Sequence, residues 1–398
     1  MSRYIMVMNS GSSSLKFDVF DEDLKPLIDG KIEAIGEEKS KIKVKYLKDD
    51  REDEKSEKFE SHLDAIHKIT DILKKNEIHK EDFKFVGHRV VHGGLTFKED
   101  RAYVVDDDVI SKIDELSELA PLHNPVNLQG IKDTMKVLDK VPQIVVFDST
   151  FHSTLPEYAF RYAISNESIG DEVRKYGFHG ISYKYVSGQA AQHLSSSSKL
   201  IILHLGNGCS ISAIKDGVCI DTSMGISPLQ GLVMGTRTGD VDASVVLHII
   251  RQYMSPITED SIDKVEELLN KKSGLKGVCG VNDMRDIVKG MKDGGKYKLA
   301  FDMFVYRIKQ YIGSYFVTLG GCDAIIFTAG IGENSSEVRE AVCGELSCIG
   351  VSIDKEKNKS KSSSSVTEIS SDQSKVKVLI IKTNEEKQIA EMGVKELK

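Results

Sequence analysis

The chain has 398 residues, of which 40% are hydrophobic and 29% charged, and its net charge is −7. That length exceeds the usual size of one core and points to two domains, and the acidic balance gives no support for a nucleic-acid or anionic-membrane partner. The six cysteines form no C-x-x-C pair and no Cys/His metal spacing, and the chain starts directly in a short apolar run. The expectation is a cytoplasmic protein with reduced, buried thiols and neither a signal peptide nor a membrane span.

Ile5 to Met8 is apolar, enters the turn Asn9-Ser-Gly-Ser-Ser-Ser14, and leaves it in period-two alternation. Leu15, Phe17 and Val19 fall on one face and Lys16 and Asp18 on the other, which predicts strand, tight turn, strand. Gly11 allows close backbone approach, Ser12, Ser13 and Ser14 offer hydroxyls and amides to anionic oxygens, and Lys16 adds a cation, a composition suited to phosphate. The Walker spacing is missing, and an ordinary serine-rich hairpin fits this stretch equally well.

Lys48 to Lys58 is charged and reads as an exposed turn or strand edge. Ser61 is placed to cap an amphipathic helix with Leu63, Ile66, Ile69, Ile72 and Leu73 at helical spacing. The strand Phe83 to Val86 leads into Gly87-His-Arg-Val-Val-His-Gly-Gly94, where Arg89, His88 and His92 beside a Gly-Gly turn form a plausible anion site; an arginine paired with a surface carboxylate is the alternative. Asn124 can cap and Pro125 open a helix to about Leu138. Ile144 to Phe147 is a strand with Asp148 at its carboxyl end, where open α/β sheets place ligand-facing residues. His179 lies between Gly177 and Gly180, with backbone freedom and little packing expected around it.

The hairpin device recurs at Lys199 to Ala213, where an apolar strand meets Gly206-Asn-Gly208 and leaves with Ile211 and Ala213 on one face and Ser210 and Ser212 on the other. Gly235-Thr-Arg-Thr-Gly239 holds Arg237 in a segment too glycine-rich for a core element. Thr258 and Glu259 start a helix that ends near Lys272 with Gly274 as its stop, and Val281 to Asp286 reads as a polar turn. A long helix from Tyr297 to Leu319 carries aromatics suited to core packing or a subunit contact. A third small-residue turn follows the strand from Ala324, with Gly330 and Gly332 ahead of a polar helix start at Asn334 and Ser335. Two hairpins on facing domains and one strand-to-helix turn can hold a nucleotide in the cleft between them. Lys355 to Ser374 is expected to be a poorly ordered loop without chemistry. The last strand, Val376 to Ile381, and the helix opened by Thr383-Asn-Glu385 cannot form a domain and are expected to return to the N-terminal one.

These segments, in this order, resemble the acetate kinase family over essentially the whole chain. The resemblance rests on Asn9 to Lys16, Gly87 to Gly94, Tyr176 to Gly180, His204 to Gly208, Met234 to Arg237, Thr328 to Asn334 and Thr383 to Glu386. It implies an α/β, two-domain fold of the actin, hexokinase and heat-shock-chaperone kind (ribonuclease H-like, duplicated) with an interdomain active-site cleft. The implied domains are 1–148 plus 383–398, and 149–382. The implied reaction is reversible transfer of the ATP γ-phosphoryl group to acetate, with Mg²⁺ (or Mn²⁺) as cofactor, in a cytoplasmic homodimer.

By the same resemblance, Arg89, Asp148, His179 and Arg237 carry the chemistry; Asp148 matches what the family treats as its active-site acid, and is cast here instead as the group that orients an arginine and adjusts local charge. Val91, Leu122, Phe178 and Pro228, with Arg89, would hold the acetate. Asn9 and Glu385 match the metal positions. The nucleotide would meet Ser12, Lys16, His204, Leu205, Gly206, Asn207, Gly208, Asp283, Met284, Arg285, Gly330, Ile331, Gly332, Glu333 and Asn334. Met284 stands where many members carry phenylalanine, which puts a thioether in place of a stacking ring. Propionate or butyrate kinase, a pyrophosphate-dependent relative, and a nucleotide-gated actin-like or chaperone-like ATPase are the competing readings.

Overall fold

A computed structural model describes residues 3–165, 167–194, 199–253, 256–360 and 364–398. The chain forms two compact units, one of Met1–Thr150 with Asn384–Lys398 and one of Phe151–Thr383. The first holds β1 (Tyr4–Ser10), β2 (Ser14–Asp21), β3 (Pro26–Glu33), β4 (Ser40–Tyr46), β5 (Arg51–Glu57), β6 (Phe83–Val90), β7 (Tyr103–Val104) and β8 (Gln143–Phe147) in the order β5-β4-β3-β2-β1-β6-β8-β7. The second holds β9 (Lys199–Leu205), β10 (Cys209–Lys215), β11 (Val218–Thr222), β12 (Ala324–Thr328), β13 (Val366–Glu368) and β14 (Lys377–Ile381) in the order β11-β10-β9-β12-β14-β13.

Both sheets share one plan. An antiparallel meander (β1-β2-β3 or β9-β10-β11) lies beside two parallel strands (β6 and β8, or β12 and β14), and an antiparallel edge strand closes that side. The serine-rich and glycine-rich turns occupy equivalent positions, between the first two strands of each meander. The fold is α/β with two mixed sheets, and the repeated hairpin belongs to a six-strand plan common to both, which the first sheet extends by β4 and β5.

In the first unit Leu15, Phe17 and Val19 pack on one face against Ile66 and Ile69 of the helix His62–Lys75, which Ser61 caps through Asp64. The opposite face is also covered. The helix Glu385–Glu396 packs on β1, β6 and β8, close enough that a Cβ on Gly87 would sit 2.7 Å from Ile389 and one on Gly393 2.5 Å from Phe85. Asp18, on the face that alternation marks as polar, is therefore 7% exposed, and its Oδ1 has no hydrogen-bond partner. β5 is exposed at every residue, a charged sheet edge that discourages pairing with another chain.

Several local expectations are corrected. Asn124 is the first residue of its helix and caps nothing; its side chain accepts from His92 N at 3.1 Å and donates to His92 O at 3.0 Å, so it pins the turn after β6. Gly274 stops no helix; at φ +61 it opens the helix Gly274–Cys279, after the preceding helix ends at Lys271. Val281 to Asp286 is only partly a turn, because Asp283 caps the helix Met284–Gly290. Lys355 to Ser374 contains the helix Lys355–Lys359 and β13; residues 361–363 of that stretch lie outside the described residues. The final strand, β14, pairs with β12 in the second sheet, and only the terminal helix belongs to the first unit.

Candidate functional site

In the first unit the chemistry gathers at the carboxyl ends of β1, β6 and β8. Parallel pairing brings Asn9, Arg89 and Asp148 to one edge, and the start of the terminal helix adds Glu385. Arg89 Nε donates to Asp148 Oδ1 at 3.1 Å, Nη2 donates to Asp148 Oδ2, and Nη1 reaches Asn9 Oδ1 at 3.4 Å. Glu385 lies 3.8 Å from Nε. This is a forked, buried ion pair that fixes the guanidinium plane. Burial opposes the Arg89 charge, but Asp148 and Glu385 outweigh it and hold the guanidinium more firmly protonated than usual.

Burial also pushes Glu385 up to about 7, against the pull of Arg89 and with the repulsion of Asp148 and Glu386. Lys16 pairs with Glu386 at 2.7 Å, so its ammonium is held by a carboxylate next to the site. The two histidines of the Gly87 to Gly94 segment are structural: His88 is buried on Gln143 at 2.8 Å, and His92 Nδ1 accepts from Gly94 N at 2.9 Å. Val91 is buried, with its amide donating to Asn127, which in turn donates to Ser10 O at 2.8 Å; Leu122 is 41% exposed. Ser12 is exposed in the hairpin that Gly11 N closes on Ser14 O at 2.8 Å.

The metal positions fit a hard cation. Asn9 Oδ1 and Glu385 offer oxygen donors, with Asp148 and Glu385 beside the Arg89 guanidinium and Glu386 paired with Lys16. Among the described residues no group of three or more His, Cys, Asp or Glu is placed to hold a metal.

The second unit gathers a different set. His179 has φ +58, stacks on His204 at 4.1 Å between centroids, and its Nδ1 lies 2.8 Å from Ser210 Oγ, which is itself 2.5 Å from Tyr183 Oη. Its surroundings are thus packed, contrary to the expectation from the flanking glycines. His204 Nδ1 meets Ser182 Oγ at 2.8 Å, and Leu205 is fully buried. A Cβ placed on Gly208 would lie 3.5 Å from His179 Nε2 and 3.6 Å from Arg237 Nη1, so both nitrogens border one small space over the glycine turn. Arg237 Nη1 also donates to Pro228 O at 3.0 Å. Phe178 is only 1% exposed.

Beside this turn lies a cavity of about 730 Å³ lined by Gly206, Asn207, Met284, Arg285, Gly330 and Ile331, with Asp283 and Asn334 also at its wall. Asn282 donates to Asn207 Oδ1 at 3.2 Å and links the cavity wall to the turn. Gly332 is buried, and Glu333 Oε1 accepts from Ala329 N at 2.9 Å and Thr383 N at 3.1 Å, so that carboxylate clamps its own turn. Sequence reasoning missed Ser210, Tyr183, Asn282 and Glu386. Ser210 was visible only as the polar face of a strand, and it is completely buried.

The chain matches the acetokinase family over residues 4–391. It is 45% identical to an acetate kinase of Campylobacter concisus over 97% of this chain and 96% of that one. The chain belongs to the acetokinase family. Among solved structures it is similar to a propionate kinase from Francisella tularensis (38% identity, TM-score 0.90, 98% of each chain). It is also similar to the acetate kinase of Porphyromonas gingivalis (36% identity, TM-score 0.88, 100% of each chain). The chain is an enzyme of the kinase class with the two-domain fold of those structures. Among the described residues no helix is long and apolar enough to cross a membrane.

Proposed function

We propose that the chain catalyses reversible transfer of the γ-phosphoryl group of ATP to acetate, giving acetyl phosphate and ADP. The observation that carries this reading is the meeting of His179 Nε2 and Arg237 Nη1 over Gly208, next to a nucleotide-sized cavity. Acetate is ionised at neutral pH, so no general base is needed; the obstacle is bringing two anions together. The carboxylate oxygen attacks Pγ in line, the Pγ–O bond to the β-phosphate breaks, and ADP takes that electron pair. Arg237 and His179 are cast as donors to the equatorial oxygens. With Tyr183 donating to Ser210 and Ser210 passing its hydrogen to His179 Nδ1, the ring proton resides on Nε2, the nitrogen nearest Gly208.

Arg89 is proposed to receive the acetate carboxylate, and Asp148 to orient the guanidinium rather than to accept a proton, since its fork already holds Nε and Nη2. Val91, Leu122, Phe178 and Pro228 are the candidates for contact with the methyl group. Gly206 to Gly208 would cradle phosphates, and Met284, Arg285, Gly330, Ile331 and Asn334 would surround the adenosine. Asn9 and Glu385 would hold Mg²⁺, which when bound neutralises phosphate charge and orients the β- and γ-oxygens. Six free cysteines support a reducing, cytoplasmic setting.

A hydroxylamine trap for acyl phosphate, run with ATP, Mg²⁺ and acetate, propionate or butyrate in turn, tests the reading. Hydroxamate is expected with acetate, and the similarity to a propionate kinase makes the propionate arm informative about chain length. ATP hydrolysis with no hydroxamate from any acid would overturn the kinase reading in favour of a nucleotide-gated ATPase. Homodimerisation is part of the proposal. The helix Ala243–Tyr253 buries no side chain and exposes Val245, Leu247 and Tyr253, and the helix Gly295–Leu319 exposes Leu299, Met303 and Tyr306. A monomer mass at micromolar concentration by sedimentation would refute it.

A further inference from the structure

His152, in the short helical turn Thr150–Thr154, is 1% exposed and takes no part in the chemistry above. Its Nε2 lies 2.9 Å from Phe178 O and its Nδ1 3.1 Å from Cys219 Sγ. A carbonyl can only accept, so Nε2 carries the hydrogen and Nδ1 is the acceptor nitrogen of the neutral ring; the Cys219 thiol lies within reach of Nδ1 and, at 3.5 Å, of Asp221 O. Burial pulls the imidazole down to about 4 and pushes the thiol up, which keeps both groups in those forms near neutral pH.

The chain folds around this ring. Gly177 at φ +79 and His179 at φ +58 flank Phe178, and a Cβ on Gly177 would fall 2.7 Å from the His152 ring. His179 is not glycine, so its left-handed backbone is strained and persists only where its surroundings hold it. The Phe178 carbonyl and the His179 amide share one planar peptide, so a bond that fixes the direction of that carbonyl fixes the plane from which the His179 side chain departs, and the left-handed φ of His179 then sets where its Cβ points.

We propose that His152 is the positioning residue for His179: its Nε2–H holds the peptide between Phe178 and His179 in the one orientation that brings His179 Nε2 beside Gly208 and Arg237. The inference rests on the phosphoryl-transfer reading.

Two substitutions test it. His152→Phe keeps a buried ring and removes the donor; His152→Gln restores an N–H close to the position of Nε2. The phenylalanine chain should lose about 10- to 100-fold in kcat for acetyl phosphate formation, with the KM for ATP within about twofold of the parent, and the glutamine chain should recover at least half of that loss on a logarithmic scale. Normal kcat in the phenylalanine chain would overturn the inference. So would parallel loss of kcat, ATP binding and melting temperature without rescue, since that pattern belongs to a purely structural residue. Should neither variant fold, ¹⁵N NMR of the unmodified protein decides: a ring that titrates between pH 5.5 and 9, or that carries its hydrogen on Nδ1, overturns it, and a fixed Nε2–H tautomer supports it. Absence of acyl phosphate formation by the unmodified chain would defeat the underlying reading instead, before any variant is compared.

Discussion

Gly208→Ala separates activity from folding more cleanly than removal of a charged residue does. Gly208 is not among the residues with positive φ, so alanine adopts its backbone without strain. The added methyl would sit 3.5 Å from His179 Nε2 and 3.6 Å from Arg237 Nη1, which is ordinary van der Waals contact. Stability should therefore change little, or rise by about 0.4 to 1 kcal/mol through loss of unfolded-chain freedom. A phosphoryl oxygen that accepts from both nitrogens must approach each to about 2.7 to 3.1 Å, and a carbon at contact distance from both occupies that volume. Loss of one such donor is worth about 2.7 to 4 kcal/mol of transition-state stabilisation, so kcat should fall by about 10² to 10³. The assay is hydroxamate formation with saturating ATP and acetate, alongside a melting curve and ATP binding by calorimetry. A folded alanine variant with kcat within threefold of the parent would refute the placement of the transferring group over Gly208.

Three further outcomes are expected. Burial, with help from Glu386, pushes Asp18 up to about 8, so the folded chain keeps a proton that the unfolded chain releases from about pH 4; stability must fall as pH rises through that window. Asp18→Asn cannot titrate and should gain on the parent as pH rises from 5.5 to 8, by up to roughly 3 kcal/mol in denaturant titrations, and parallel pH curves would contradict the assignment. Arg237→Lys should lose most turnover, about 10²-fold or more, with little change in ATP affinity, because an ammonium cannot serve both Pro228 O and a phosphoryl oxygen with planar geometry; near-normal turnover would count against it. Met284→Phe, at the cavity wall, should lower the KM for ATP severalfold at unchanged kcat by adding a stacking ring, and an unchanged KM would show that base stacking does not occur there.

Local patterns were legible where a strand meets one environment. The alternation of Leu15, Phe17 and Val19, the Ser61 cap, the exposed β5 and both small-residue turns follow from short-range chemistry. The burial of Asp18 was not legible, because the helix that covers it comes from the other end of the chain and alternation cannot report a second cover. Asn124 looked like a cap because its type and its neighbour Pro125 suit one; the structure spends its amide on the backbone of His92 instead. The pairing of Asp148 with Arg89 follows from parallel strands whose carboxyl ends share one edge, which the strand positions in the sequence suggest but do not fix. The pairing of Ser210, on a strand, with Tyr183, on a helix, could not be found, since a buried hydroxyl carries no signal until its partner is known.

The two sheets repeat one topology and yet present opposite chemistry, and this difference has a physical reason. In the first unit Arg89 is already answered by Asp148, with Glu385 close behind, so the acetate carboxylate proposed to bind there would gain less from the guanidinium than it would from an unpaired one. What the pair supplies is direction: with Nε and Nη2 engaged, the guanidinium cannot swing, and the geometry of approach is set before the acid arrives. In the second unit the groups bonded to His179 and His204 are hydroxyls, and Arg237 donates to a backbone carbonyl. The strand ends of the two sheets thus differ in which residues they carry and share the plan in which these are arranged, so one topology presents two chemistries.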